Sequence, residues 1–176
     1  MAPSAMALQC LLEAELKYNT KKTFCMCVRP KWIKDLQPIC ITLNGVQLKF
    51  VNEHCYLGIK MTSNMSDVSD MQRQIKCIFA SGNGIIKHFR HCSEEVKAKL
   101  FNSYCTSFYG SVLWVNYTVE AMRKVKSSYN KIFRSLMNVK DVLETTKCML
   151  LTNVNPLFTV LGKGYMIVII TLLILL

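Results

Sequence analysis

Hydrophobic positions along the chain change their period near residue 66. Before it, apolar residues come in short runs; after it, they recur every three to four residues. Residues 5 to 17 carry a brief helical pattern (Ala5, Leu8, Leu11, Leu12, Leu16), and Tyr18 to Lys22 read as a turn. Thr23 to Val28 (TFCMCV) lacks helical periodicity and predicts a buried strand. Pro30 and Pro38 bracket a basic loop. Ile39 to Leu43, Asn44-Gly45 and Val46 to Val51 predict a hairpin, because Asn-Gly supplies the two positive-φ positions of a type I′ turn. Tyr56 to Met61 (YLGIKM) predicts a further strand.

From Ser66 onward the pattern is helical. Ser69 with Gln72 has capping-box spacing, and Met71, Ile75, Ile78, Phe79, Ile85, Ile86 and Phe89 mark one face of a long helix weakened by Gly82 and Gly84. Ser93 followed by Glu94 and Glu95 predicts a second start, since acids suit the positive end of the helix dipole. Its inward face is expected at Val96, Leu100, Tyr104, Ser107, Phe108 and Ser111, with Trp114 closing it. A third helix begins near Thr118 and buries Met122, Val125, Tyr129, Ile132, Phe133 and Leu136.

Charge sharpens this picture. The 176 residues carry 22 Lys and Arg against 11 Asp and Glu, a net charge of +11, and at 51% hydrophobic the chain is too apolar to be disordered. A basic excess points to an anionic partner, nucleic acid or a lipid surface. It gathers on the third helix, where Arg123, Lys124, Lys126, Lys131 and Arg134 face a single Glu120. Such a face repels itself unless a polyanion lies alongside. The first long helix adds Arg73, Lys76, Lys87 and Arg90, and the two sets together are expected to line one side of a groove contacting a nucleic-acid backbone. A merely solvated basic face is the plainer reading.

Candidate chemistry is sparse. Nine cysteines would suit a secreted scaffold, but the N-terminus lacks the basic and apolar regions of a signal peptide, so free thiols in an intracellular protein, nuclear or cytoplasmic, are expected. Most are scattered singly among apolar neighbours, as small buried hydrophobes would be. His88, His91 and Cys92 cluster like metal ligands but have no matching fourth donor and read as the basic end of a helix. His54, His88 and His91 have no nucleophile partner, and no small-molecule substrate is identified. Gly164 to Leu176 is apolar almost throughout, yet thirteen helical residues reach about 20 Å, short of the roughly 30 Å hydrocarbon core. It reads as a marginal membrane anchor, a buried last element, or sequence following a truncation.

The order of motifs then carries a resemblance. Asn19-Thr20-Lys21-Lys22-Thr23 leads into an apolar strand; Leu43-Asn44-Gly45-Val46 and Tyr56-Leu57-Gly58 follow; Tyr104-Cys105, Tyr109-Gly110-Ser111-x-Leu113-Trp114 and Tyr129-Asn130-Lys131-Ile132-Phe133-Arg134 lie in the helical part. The series, over residues 2 to 138, resembles the reverse transcriptase of non-long-terminal-repeat (LINE-type) retrotransposons, from just after the catalytic centre through the thumb. The resemblance implies an α+β chain: a small mostly antiparallel palm remnant (1–62), a three-helix thumb (66–138) and an apolar tail outside the family pattern (139–176). It implies that Lys22 approaches the incoming nucleotide's phosphates and that Tyr56, Leu57 and Gly58 form the primer grip. Gly58 would let another backbone approach closely, or mark a plain bulge.

The family function is RNA-directed DNA synthesis, which uses palm aspartates to hold two Mg²⁺ ions. No adjacent Asp-Asp occurs here, the family's Ala-Asp-Asp would fall just ahead of Ala2-Pro3-Ser4, and the fingers are missing. The expectation is a catalytically incomplete fragment that binds template–primer nucleic acid and holds no cofactor of its own. Two other readings stand beside it: a small basic protein tethered to a membrane by residues 164–176, and a non-functional relic of a mobile element.

Overall fold

The computed structural model describes residues 19, 22–28, 40–43 and 45–162. The expected helix at 5–17, the loop between Pro30 and Pro38, Asn44 and the apolar segment 164–176 lie outside the described residues. Within them the chain is α+β: short strands come first and helices follow.

The strands form three two-stranded ladders, where a small single sheet was expected. β1 (Phe24–Cys25) pairs in parallel with β4 (Lys49–Phe50), while β2 (Thr42–Leu43) pairs antiparallel with β3 (Val46–Gln47). Gly45, at φ +77°, turns the predicted hairpin. Val46 to Val51 is not one strand of that hairpin. Leu48, the buried residue of the run, sends its N–H to Ile41 O at 2.9 Å, and the next two residues change partner to β1.

The predicted strand at Tyr56 to Met61 is instead the bend of a hairpin. β5 (Glu53–Tyr56) and β6 (Ile59–Thr62) pair antiparallel with Tyr56 opposite Ile59. Leu57 and Gly58 make the two-residue turn at φ 48° and 79°, the paired positive values of a type I′ turn. Leucine is unusual there, so the turn carried no Asn-Gly or Asp-Gly signal.

α1 (Val68–His88) begins one residue before Ser69, so the predicted capping box does not form. Asp67 occupies the N-cap position and spends its carboxylate elsewhere, accepting from the N–H groups of Val115 and Asn116 at 2.7 and 2.6 Å. Met71, Ile78 and Ile85 are buried as expected, with Ile75, Phe79 and Ile86 packed at the margin; Phe89 falls past the helix end and is exposed. Gly82 is the contact point with the third long helix: a Cβ there would lie 2.2 Å from Ile132 Cγ1. Absence of a side chain lets the helices meet, so this glycine joins two elements more than it weakens one.

α2 (Glu94–Tyr104) starts after Ser93 as predicted, and Leu100 packs against the core as expected, but the most deeply buried positions lie on a neighbouring face. Ala98, Phe101 and Cys105 are buried, whereas Val96 and Tyr104 are exposed. The reason is aromatic packing: Phe101 meets Tyr129 and Phe133 edge-on, each at 5.2 Å between centroids. The helix ends at Tyr104, and Trp114 follows a separate 3-10 turn (Ser111–Leu113), so Trp114 does not close α2. α3 (Val119–Met137) is capped by Thr118 Oγ1, which accepts from Ala121 N–H at 3.1 Å, and stops at Asn138 in the left-handed region. Val125, Tyr129, Ile132, Phe133 and Leu136 are buried as the sequence indicates.

The helical core continues beyond Asn138. α4 (Val142–Leu151) and the segment to 162 add Met149, Val154, Leu157 and Leu161 to the same cluster, and the Tyr129 hydroxyl donates to Asn155 O at 2.7 Å. Among the described residues the cysteines are free thiols, but they are not mainly buried: Cys105 is, while Cys27, Cys40, Cys55 and Cys77 are exposed. No helix among the described residues is long and apolar enough to cross a membrane.

Candidate nucleic-acid interface

α3 organises the cations because its apolar stripe fixes which way the rest must face. At about 100° per residue, Arg123, Lys124, Lys126, Lys131 and Arg134 fall within about 160° of arc, opposite the buried stripe. Arg123, Lys124, Lys126 and Lys131 are exposed and Arg134 is half-buried. Glu120 is bound to Lys124 at 2.7 Å, and that contact holds its carboxyl below the usual range. Lys126 Nζ sits 5.3 Å over the Phe158 ring. Arg123, Lys131 and Arg134 make no ion pair among the described residues.

The cations of α1 belong to a different surface. Lys76 and Lys87 are exposed and lie about 120–140° around the helix from Gly82, so they turn away from the contact with α3. Arg90 is exposed beyond the end of α1. The single groove expected from sequence therefore becomes two separate basic faces, each on the outer side of its helix.

Arg73 serves the interior. Its Nε lies 2.7 Å from Asp70 Oδ1, and Asp70 is 1% exposed. The same carboxylate accepts from Lys60 N–H at 3.0 Å and from Trp114 Nε1–H at 2.9 Å. It thus ties β6, α1 and the segment after the 3-10 turn together. Burial by itself would raise the Asp70 carboxyl, but the bonds from Arg73, Lys60 and Trp114 outweigh it and hold the group below the usual carboxylate range. Sequence reasoning passed over Asp70. Its signal was periodicity: Asp70 stands four and eight residues before the inward-facing Gln74 and Ile78.

Lys22 is exposed in the turn before β1, where its N–H bonds Asn19 O at 3.0 Å. Tyr56 and Leu57 are exposed at the tip of the β5–β6 hairpin. Gly58 faces the Tyr109 ring, 3.3 Å from where a Cβ would stand, so a side chain and the turn's φ call for glycine there, with no second backbone involved. This hairpin and the Tyr109–Leu113 region border an apolar groove of about 390 Å³, lined by Tyr56, Leu57, Met61, Met65, Tyr109 and Leu113 among others.

The acids of this region are committed to N–H donors. Asp67 and Asp70, one turn apart, accept from two backbone N–H groups, both at Asp67 Oδ2, in the first case and from three donors in the second. Among the described residues no group of three or more His, Cys, Asp or Glu converges as a metal site. No protein-family model, curated protein or solved structure matches this chain.

Proposed function

We propose that this chain binds the sugar–phosphate backbone of a nucleic-acid duplex through the outer face of α3. The observation that carries the reading is the charge on that face: five cations over one side of a helix, with one anion that Lys124 already neutralises. A rigid helix whose other side is locked into an aromatic core holds those charges in fixed register, and a polyanion relieves their mutual repulsion. The motif series resembling the reverse-transcriptase thumb supports a template–primer duplex as the form bound. In the same reading the chain does not polymerise DNA alone, and Mg²⁺ belongs to the intact enzyme of that family.

The test is fluorescence anisotropy with a labelled RNA–DNA duplex across a salt series. About four phosphate contacts give a roughly hundredfold loss of affinity between about 50 and 200 mM salt. Charge reversal of Arg123, Lys124, Lys126 and Lys131 should abolish binding, while reversal of Lys76 and Lys87 on the separate α1 face should leave most of it. Salt-independent binding, or binding indifferent to the α3 reversal, would overturn the proposal. Primer extension with Mg²⁺ should show no incorporation; incorporation would overturn the second half.

A further inference from the structure

α4 presents a second kind of surface. Packing through Thr145 and Met149 leaves Leu143 and Leu150 81% and 68% exposed. Seven residues apart, they lie in one stripe along two turns, with Lys147 between them. Leu151, 75% exposed, flanks the stripe, and Glu144 stands at its border, about 100° around from Leu143. Single exposed leucines are ordinary, whereas a stripe of them around a lysine needs a partner that is apolar at one level and anionic at the next.

We propose that the Leu143–Lys147–Leu150 side of α4 docks on an anionic lipid bilayer. The leucines enter at the acyl boundary, and Lys147 extends its stem alongside them so that its ammonium reaches the headgroup phosphates. Three features select lipid over other partners. The sequence continues after Gly162 through Lys163 into thirteen residues without a charge, so the same region supplies two lipid-seeking signals, as stable anchoring requires. The net charge of +11 favours an anionic leaflet. A second copy fits poorly, because a twofold contact centred on Lys147 would oppose like charges, and a few leucines fall well short of the roughly 800 Å² per partner of a stable interface.

Flotation of the full chain with vesicles tests this, comparing phosphatidylcholine alone with phosphatidylcholine containing about 25% phosphatidylserine. The chain should float with the anionic vesicles, and amides of α4 should gain protection from hydrogen exchange when they are added. The Leu143→Ser/Leu150→Ser variant should lower the vesicle partition coefficient at least about tenfold, since it removes both apolar side chains of the stripe. Both side chains are exposed, so its urea unfolding midpoint should match the parent chain. Arg123→Glu/Lys131→Glu should still float. Failure of the parent chain to float, or flotation of the leucine variant equal to the parent, would overturn the proposal. So would a dimer in light scattering that the leucine variant dissolves, which would give the stripe to a second copy.

Discussion

Replacing Gly82 by alanine separates two opposite expectations. In an isolated helix the change stabilises by about 0.5–1 kcal/mol, because glycine loses the most backbone freedom on ordering. In the folded chain the new Cβ would lie 2.2 Å from Ile132 Cγ1 and 2.9 Å from its Cδ1. Ile132 cannot swing clear: it is β-branched, 2% exposed and held on α3 among Tyr129, Phe133 and Leu136. Overpacking of this kind costs about 1–3 kcal/mol. After the propensity gain, a net destabilisation of about 1–2 kcal/mol is expected in urea unfolding followed by far-UV circular dichroism. Gly84→Ala is the internal control, because no atom lies within 4 Å of its added Cβ, and it should stabilise by about 0.5–1 kcal/mol. In an Ile132→Ala background the clash disappears, so Gly82→Ala should turn neutral or favourable. If Gly82→Ala proved as stable as Gly84→Ala in the parent chain, the close crossing of α1 and α3 would be refuted.

Two further outcomes follow from the same geometry. Asp70→Asn should cost about 2–4 kcal/mol at pH 7, somewhat under the full value for a buried pair because Arg73 is 26% exposed. The folded pKa of Asp70 lies below its unfolded value, so its contribution is complete above the unfolded pKa and is lost as pH falls through the folded one; urea midpoints of the two proteins should converge as the pH is lowered beneath the unfolded pKa, and a gap that stays unchanged throughout acid titration would defeat the assignment. Leu57→Asn should stabilise by about 0.5–1 kcal/mol, since φ is 48° and the leucine is 71% exposed, with little packing to lose; a loss of stability would show that Leu57 packs in the fold.

The helical half was more legible than the strands. α3 follows directly from its sequence: Thr118 caps it, an apolar stripe of the right period runs along it, and the cations fill the remaining arc. The start of α2 is legible and its inward face only in part: Leu100 packs against the core, but Val96 and Tyr104 share its spacing and stay exposed, because the aromatic trio of Phe101, Tyr129 and Phe133 decides which face turns in. The β5–β6 turn leaves no signal in the sequence because Leu57 occupies a backbone conformation that leucine seldom takes.

The candidate interface divides in the same way. The sequence alone determined that a basic helical face exists, since spacing and charge are local properties of one element. Only the tertiary structure decided which cations are available to a partner. Arg73 goes inward because the buried Asp70 beside it needs a counter-charge, and Lys76 and Lys87 turn away because Gly82 marks the edge at which α1 meets α3. The second choice rests on a contact between residues fifty positions apart, Gly82 and Ile132, and the first on the burial of Asp70 against Trp114, forty-four positions on, neither of which a pattern within a single helix encodes.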